Sequence, residues 1–412
     1  MPVFFCLSPK ITPTLPIGMG LSFKNIITGN NRVVLITTIW FLFPMLACIA
    51  EMSRGLGDIN NFLIYKQVFW HTLEQKHLYM SYPLEYSDVN HYGPLFSILI
   101  APFALAPVFV GCFFWCLLNV VFLFYAIKQL PISAKQQEFV LLIGVFELIT
   151  SVHSVQFNPM LCGMIILSYT AIEKKNIWLG TFFIVAGTLI KIYSVVGLLF
   201  FLFTPHKKKF IYTGLVWVAV LVCLPMLISS PQFIIDSYID WYEVLIEKNG
   251  QNIESSMFAG MQDISVMGMI RRIFGLYQMS NIYVTLPAGI LMLLPLLRVS
   301  LWSNHLYRLN YLALLLVGLV IFSSSAESPT FVIAVIGYLI WHVQQPYNDT
   351  FPYKALLVFM LLLTIFSPTD LFPRFIREQY ILRYSLKALP CFIAWISIVY
   401  TLLFGQFKNK LA

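Results

Sequence analysis

The sequence predicts an all-α fold, a polytopic helical membrane protein with about twelve transmembrane helices. The first observation is composition: the 412 residues are 59% hydrophobic and only 11% charged, whereas soluble domains carry about 25% charged residues. The second is that long apolar runs recur along the whole chain. Repeated runs of this kind are typical of helices that cross a bilayer.

The apolar runs divide the chain into candidate spans. They lie near residues 33–50, 93–107, 108–127, 138–152, 157–172, 177–203, 210–229, 281–297, 309–325, 329–343, 354–367 and 388–405. Only the segments 51–92 and 230–280 are long and polar. Because neither resembles a soluble domain, the sequence predicts a single integral-membrane domain over residues 1–412.

Loop charges predict how the chain is oriented, since Lys and Arg concentrate on the inner side of membrane proteins. The basic run from His206 to Lys209 marks the inner side. Twelve crossings then place 51–92 and 230–280 outside, and both of these loops are acidic. Aromatic and aliphatic residues recur at helical spacing in both loops, which predicts interfacial helices on the membrane plane.

One stretch conflicts with this scheme. Lys128 and Lys135, then Lys174 and Lys175, fall outside if every run between 93 and 205 crosses once. The runs 138–152 and 157–172 are also short against the roughly twenty residues that a span needs. We therefore expect half-helices or deeply embedded helices in this part of the chain.

Asp58 is the first candidate for chemistry. It follows Gly57 just beyond the first apolar run, where a carboxylate could act as a base at the bilayer surface. A helix cap or a salt bridge with Arg54 is the alternative. Lys191 is the second candidate, because a charge within a long apolar run is expensive and often functional. It could contact a lipid phosphate, or snorkel from a helix that ends early.

Several short stretches, in their order along the chain, resemble the family-87 glycosyltransferases. They are Gly57-Asp58, Tyr65, His91-Tyr92-Gly93-Pro94-Leu95-Phe96, Pro102, Val155-Gln156-Phe157-Asn158, Leu189-Ile190-Lys191-Ile192-Tyr193 and Glu327-Ser328-Pro329-Thr330. The chain also departs from the family pattern. Val155 stands where glycine is usual, Ser194 stands where proline is usual, and the Trp and His of the last motif are missing.

The resemblance implies a C-type glycosyltransferase (GT-C) fold, and the sequence identifies no cofactor. It implies inverting transfer of a hexose, with mannose expected, from a polyprenyl-phosphate sugar to an outer-facing lipid or glycan acceptor. Asp58 would be the general base, which must reach the acceptor hydroxyl. The expected location is the bacterial inner membrane, with the active site facing outside.

Further residues are candidates for substrate contacts. His91 and Tyr92 could line the acceptor site, or serve as helix-cap and interface residues. Glu327 is a second acidic candidate for catalysis. Gln156 and Asn158 could bind a sugar or bridge helices, although the topology above puts them on the inner side.

Basic residues on the outer side are candidates for the donor phosphate, because Arg binds phosphate oxygens in a bidentate way. They are Arg271, Arg272, Arg374 and Arg377, with Arg383 and Lys387 nearby. An interfacial anchor is the alternative for Arg271 and Arg272. No metal site is indicated, although acids on one face of the second loop could hold a divalent cation.

Two other functions compete with the transferase. A transporter or flippase of lipid-linked substrates would need internal repeats or paired broken helices, and no clear repeat is present. A ligase that moves whole glycans is the third reading, and the long first outer loop favours the GT-C enzyme over it. Nucleic acid is not an expected partner, since no soluble basic domain is present.

Overall fold

The computed structural model describes residues 29–255, 262–369 and 372–407. Helices account for 77% of the structure, and the described residues form no strand. The prediction of an all-α fold is therefore confirmed.

Fifteen α-helices of eight residues or more lie within these described ranges. They are α1 (Gly29–Arg54), α2 (Asn60–Glu74), α3 (Phe96–Ala104), α4 (Val108–Gln129), α5 (Ala134–His153), α6 (Asn158–Glu173), α7 (Ile177–Ile190), α8 (Lys207–Cys223), α9 (Pro231–Ser255), α10 (Val266–Phe274), α11 (Ile282–Leu293), α12 (His305–Ile321), α13 (Phe331–His342), α14 (Phe351–Phe359) and α15 (Ala388–Phe404). Shorter or tighter helical segments include a 3₁₀ segment at Ile192–Leu202 and π-helical segments at Met360–Phe366 and Arg377–Leu382.

Three of the described segments are long and apolar enough to cross a membrane: Asn31–Arg54, Val108–Gln129 and Lys207–Leu227. Seven further apolar helices are shorter. These segments support a helical membrane protein, while the number of twelve crossings stays a prediction.

The helices sort into a buried centre and an exposed periphery. Every residue of α13 is buried, and so are nearly all residues of α6 and α12. A helix that is apolar on all sides is stable only inside a large core or a membrane. Peripheral helices such as α1 and α8 instead expose large apolar side chains, among them Leu46 and Leu215. These side chains form the surface that a bilayer would cover.

Polar contacts show which helix ends lie together. At one end, Arg32 pairs with Glu138 at 3.0 Å, and Arg308 pairs with Glu173 at 2.9 Å. At the other end, Glu51 contacts His153 at 2.7 Å. The helices α1 and α5 therefore run in the same direction between two ends of one bundle, and α6 runs in the opposite direction.

The apolar run 93–107 forms only a nine-residue helix, α3, and does not lead to the far end. Nine helical residues extend about 14 Å, half of a bilayer core. Lys66 of α2 donates a 2.9 Å hydrogen bond to the Ala106 carbonyl, so the end of α3 stays beside α2. The predicted span over 93–107 therefore contains only a helix half as long as the bilayer core is thick.

The long run 177–203 also differs from its expected form, because it breaks at Lys191. The helix α7 ends at Ile190, and the 3₁₀ segment Ile192–Leu202 returns to the end where α8 begins. Because α3 stops short of the far end and this run passes along the bundle in both directions, Lys128, Lys135, Lys174 and Lys175 lie at the same end of the bundle as Lys207. Lys174 donates to Gln129 there at 2.6 Å. The conflict in the loop charges is thereby resolved.

The two long polar segments both lie at the end opposite these lysines. The first contains α2 and an irregular stretch up to Gly93, and the second contains α9 and α10. The helix α9 buries Trp241 and exposes Ile235, Ile239 and Tyr242 on another face. Helices are therefore present in both predicted loops, and their position on a membrane plane stays a prediction.

Candidate functional site

A cavity of about 920 Å³ lies where the two polar segments meet the helical bundle. Its wall is divided into a polar part and an apolar part. The polar part includes Asn60, Asn61, Asp88, His91, Gln156, Lys191, Lys248, Asn249, Asn281 and Glu327. The apolar part includes Ile192, Val195, Val196, Met292, Leu319 and Phe322.

The turn at His91 and Gly93 closes tightly against α7 and α9. The Gly93 amide donates to the Ile190 carbonyl at 3.0 Å, and a Cβ at Gly93 would lie only 2.1 Å from the Leu189 carbonyl oxygen. Glycine is therefore required for this close approach. Trp241 of α9 donates its indole N–H to the His91 carbonyl at 2.9 Å. These contacts bring the first polar segment and α9 together around the cavity.

Tyrosine side chains form one wall. The hydroxyls of Tyr65 and Tyr92 are 3.0 Å apart, and Tyr92 stacks on Phe96 with ring centroids 4.7 Å apart. The Lys191 ammonium lies 5.6 Å from the centre of the Tyr92 ring and 5.3 Å from that of Tyr193. Cation–π contacts of this kind help to hold an ammonium in a largely apolar setting.

Lys191 is joined to the start of α6. Its Nζ donates a 2.9 Å hydrogen bond to Oδ1 of Asn158, while Gln156 lines the cavity beside it. The Val155 backbone has φ +50°, a left-handed conformation that suits glycine far better than a β-branched residue. This matches the glycine that the family pattern has at that position. Gln156 and Asn158 thus lie at the cavity end of the bundle, and their placement at the opposite end was wrong.

Glu327 enters the cavity from the loop between α12 and α13. Its side chain caps the short 3₁₀ turn Ser328–Thr330, and Thr330 caps it in return. Burial raises the pKa of the Glu327 carboxyl, while Lys191 and Lys248 act in the opposite direction and Asp88 raises it further. A carboxylate with a raised pKa is a better proton acceptor near neutral pH.

His91 presents an unsatisfied ring to the cavity. Both ring nitrogens are buried, and neither has a hydrogen-bond partner among the described residues. Burial lowers the pKa of His91, and the Lys248 ammonium lowers it further. The ring is therefore neutral near pH 7. Because buried polar atoms normally have hydrogen-bond partners, the two unpartnered nitrogens are available to bond a ligand hydroxyl.

Four charged side chains share this cavity without neutralising one another. Lys191, Lys248, Asp88 and Glu327 all line it, yet within the described ranges none of the four takes part in a salt bridge. The charges act on each other across the cavity, as the pKa shift of Glu327 shows. Opposite charges held apart around an accessible space are typical of a site that places a polar ligand between them.

Asp58 lies outside this cavity. It occupies the exposed 3₁₀ turn Leu56–Ile59 and is not one of the lining residues. The alternative of a salt bridge with Arg54 also finds no support, because Arg54 pairs with Glu51 at 2.6 Å. The catalytic role of Asp58 stays a prediction.

The four arginines predicted to contact a donor phosphate lie elsewhere too. Arg271 is fully buried in an ion pair with Asp263 at 2.8 Å, and Arg272 donates to the Asp263 carbonyl at 2.8 Å. Arg374 pairs with Glu378 on the surface at 2.6 Å, and Arg377 does not line the cavity. The internal ion pair of Arg271 and the internal hydrogen bonds of Arg272 explain why these two residues depart from the usual charge bias.

Sequence reasoning missed several of the lining residues. Asp88 of the first polar segment, and Lys248 and Asn249 of the second, were not among the predicted site residues. The available signals were weak: Asp88 lies three residues before His91, and Lys248 lies two turns beyond Trp241. Neither spacing identifies a site without the fold that joins the two loops.

One group of side chains has the spacing for a metal ion within the described ranges. The sulfur atoms of Cys48, Cys112 and Cys116 all lie within 4.8 Å of one another, and all three residues are buried. No carboxylate or histidine joins them, which favours packing of the three thiols over metal binding. They also do not line the cavity.

The fold and the cavity define a class of protein, a helical membrane protein with a charged cavity at one end of its bundle. The model of glycosyltransferase family 87 matches residues 90–329, which is more than half of the chain. The chain therefore belongs to glycosyltransferase family 87, as the motifs indicated. A comparison with curated proteins finds no match for this chain.

Proposed function

We propose that this membrane glycosyltransferase moves a hexose, mannose being the expected one, from a polyprenyl-phosphate sugar to a lipid or glycan acceptor. The observation that carries the proposal is the shared cavity of Lys191 and Glu327, which combines a cation for the donor phosphate with a buried carboxylate for the acceptor. An apolar wall continues from the Lys191 end along Ile192 and Val196. This wall suits the polyprenyl chain, because apolar surface is favourably covered by hydrocarbon.

The phosphate is assigned to Lys191. Its ammonium keeps hydrogen-bond donors beyond the one given to Asn158, since an ammonium has three. A cation at this position stabilises the negative charge that grows on the phosphate as the glycosidic bond breaks. The leaving group departs as polyprenyl phosphate with the bonding electron pair.

Glu327 is the proposed general base. It accepts the proton of the acceptor hydroxyl as that oxygen attacks the anomeric carbon, so a single displacement inverts the configuration. Its raised pKa supports this role. Asp88 and the neutral ring of His91 are positioned to hold other acceptor hydroxyls. The exposed position of Asp58 favours Glu327 over Asp58 as the base. A sugar-transfer assay with variants of both residues compares them.

The proposed topology places the cavity on the outer side of a bacterial inner membrane. The basic residues at the opposite end of the bundle support this orientation. They are Arg32, Lys128, Lys135, Lys174, Lys175, Lys207, Lys208, Lys209, Arg298 and Arg308. If α3 does not cross the membrane and the 3₁₀ segment Ile192–Leu202 does, the apolar segments cross it twelve times in alternating directions.

Incubation of the purified protein in lipid nanodiscs with labelled polyprenyl-phosphate mannose and membrane lipids tests the activity. The proposal expects label in a new glycolipid with inverted anomeric configuration, and none with Glu327→Gln. Other polyprenyl-phosphate hexoses run in parallel identify the sugar. A wild-type protein that moves labelled donor across a vesicle bilayer without transferring the sugar would instead be a flippase.

A further inference from the structure

The loop 323–328, which carries Glu327, is attached to its surroundings on both sides of that residue. Three of its serines bond side chains that belong to other segments. The bonds are Ser323 Oγ to Tyr193 Oη (2.7 Å), Ser324 Oγ to Asn249 Oδ1 (2.7 Å) and Ser325 Oγ to Asn252 Nδ2 (2.9 Å). A loop tied at successive residues has little freedom to move, so the direction of Glu327 is set by these attachments.

The residue that precedes Glu327 is held through its backbone. The Ala326 carbonyl accepts a 2.8 Å hydrogen bond from the Ile264 amide. The neighbouring Asp263 is fully buried and fixed by Arg271 at 2.8 Å. This arrangement gives the buried arginine a structural purpose that does not involve a phosphate.

The residue that follows Glu327 is held by a second buried ion pair. Lys387 Nζ lies 3.0 Å from Glu147 Oε1, with the two side chains 4% and 0% exposed. The same ammonium donates to Ser328 Oγ at 2.8 Å and to the Ser328 carbonyl at 3.1 Å. All three donors of the ammonium are therefore used, one on Glu147 and two on Ser328.

A buried ion pair needs a reason beyond stability. Removing two charges from water costs about as much as their attraction returns, and well-packed apolar side chains often replace such a pair without loss. The two bonds to Ser328 provide the reason here, because an apolar pair could not make them. The two bonds fix Ser328, the residue next to Glu327. Catalytic groups are effective only when neighbouring residues hold them in place.

We propose that Lys387, neutralised by Glu147, is a positioning residue that holds Ser328 and thereby aims the Glu327 carboxylate into the cavity. This inference rests on the proposed function, in which Glu327 is the base. It also replaces the idea that Lys387 contacts a lipid phosphate, since its ammonium is already fully bonded inside the protein.

The test compares two charge-neutral double variants in the sugar-transfer assay. Lys387→Met with Glu147→Gln removes the pair at the loop without leaving an unpaired buried charge. Arg308→Met with Glu173→Gln removes a partly buried pair at the opposite end of the bundle. Ser328→Ala is the milder variant, which removes one acceptor and keeps the Lys387–Glu147 pair.

The inference expects a fall in kcat of roughly tenfold to a hundredfold for the Lys387 double variant, because misplacement of a reacting group by about 1 Å costs up to about 10²-fold. The KM for the donor should stay within about threefold, and the acid limb of the kcat–pH profile should shift because the setting of Glu327 changes. Ser328→Ala should show a smaller fall in kcat, again with unchanged KM. The Arg308 double variant should keep both kcat and the pH profile.

Failure of this inference is distinguishable from failure of the proposed function. If Glu327→Gln is inactive while the Lys387 double variant and Ser328→Ala keep wild-type kcat and pH profile, the positioning role is overturned and the function stands. If Glu327→Gln is itself active, Glu327 is not the base. Should the Lys387 double variant not fold, Ser328→Ala decides alone, and a wild-type kcat and pH profile for it overturns the inference.

Discussion

The Lys191 ammonium donates a 2.9 Å hydrogen bond to the side-chain oxygen of Asn158, 33 residues earlier in the chain. This bond joins the break between α7 and the 3₁₀ segment to the start of α6, at the cavity wall. The described residues offer Lys191 no salt-bridge partner, so its charge is available to a ligand. The bond therefore fixes the cation in place without neutralising it.

Replacement of Lys191 should weaken donor binding. A hydrogen bond to a charged group contributes about 1.5–3 kcal/mol, so Lys191→Met should raise the apparent donor KM by roughly 10- to 150-fold. Steady-state kinetics with varied donor concentration measure this. Lys76→Met is the control, since Lys76 pairs with Glu74 on the surface. An unchanged donor KM for Lys191→Met would exclude the phosphate contact.

The pH dependence of kcat should reflect Glu327. Burial raises its pKa, and a general base acts only when deprotonated. Activity should therefore fall as pH drops through this raised pKa, beginning at a higher pH than for an ordinary Glu of about 4.3. In Lys248→Met this acid limb of the kcat–pH profile should move to still higher pH, because the Lys248 ammonium lowers the pKa of Glu327. A limb that moves downward in this variant would contradict the assignment.

The buried and exposed arginines should behave differently. Arg271→Ala breaks a fully buried ion pair with Asp263, and such a loss costs about 3–5 kcal/mol of stability. Thermal unfolding in detergent should show this loss, and the donor KM of the folded fraction should be unchanged. Arg374→Ala should alter neither property, since Arg374 is largely exposed. A folded Arg271 variant with a raised donor KM would restore the phosphate role.

Cysteine labelling in intact cells distinguishes the two possible topologies. Position 175 is outside if each apolar run crosses once, and inside if α3 does not cross and the run 177–203 crosses twice. With the exposed Cys223 replaced by Ser, Leu84→Cys should react with a membrane-impermeant reagent and Lys175→Cys should not. Both positions are exposed at the protein surface. Equal labelling of the two would refute the arrangement.

The fold class followed from composition and apolar runs, because burial in lipid requires long apolar helices. The motifs around Tyr92, Gln156, Lys191 and Glu327 also identified much of the cavity wall. Each of them interrupts an apolar run or begins one, and a polar group in that setting needs a partner.

Other features were beyond sequence reasoning. Asp88 and Lys248 belong to polar segments where charged residues are common, so a single charge there does not indicate a functional site. These two segments are brought together by tertiary contacts, among them those of Trp241 with the His91 carbonyl and of His77 with Asp240. The break at Lys191 was one of the two alternatives that the sequence left open, because the residues on both sides of it are apolar and could also form one long span.

The base is tested most directly by measuring transfer from labelled polyprenyl-phosphate mannose with Glu327→Gln and Asp58→Asn side by side. Loss of a positioned base costs about 10²–10⁴ in rate. The account predicts a loss of this size in kcat for Glu327→Gln, whereas Asp58→Asn should stay within about threefold of wild type because Asp58 lies outside the cavity. Near-wild-type transfer by Glu327→Gln together with an inactive Asp58→Asn would contradict the account and identify Asp58 as the base.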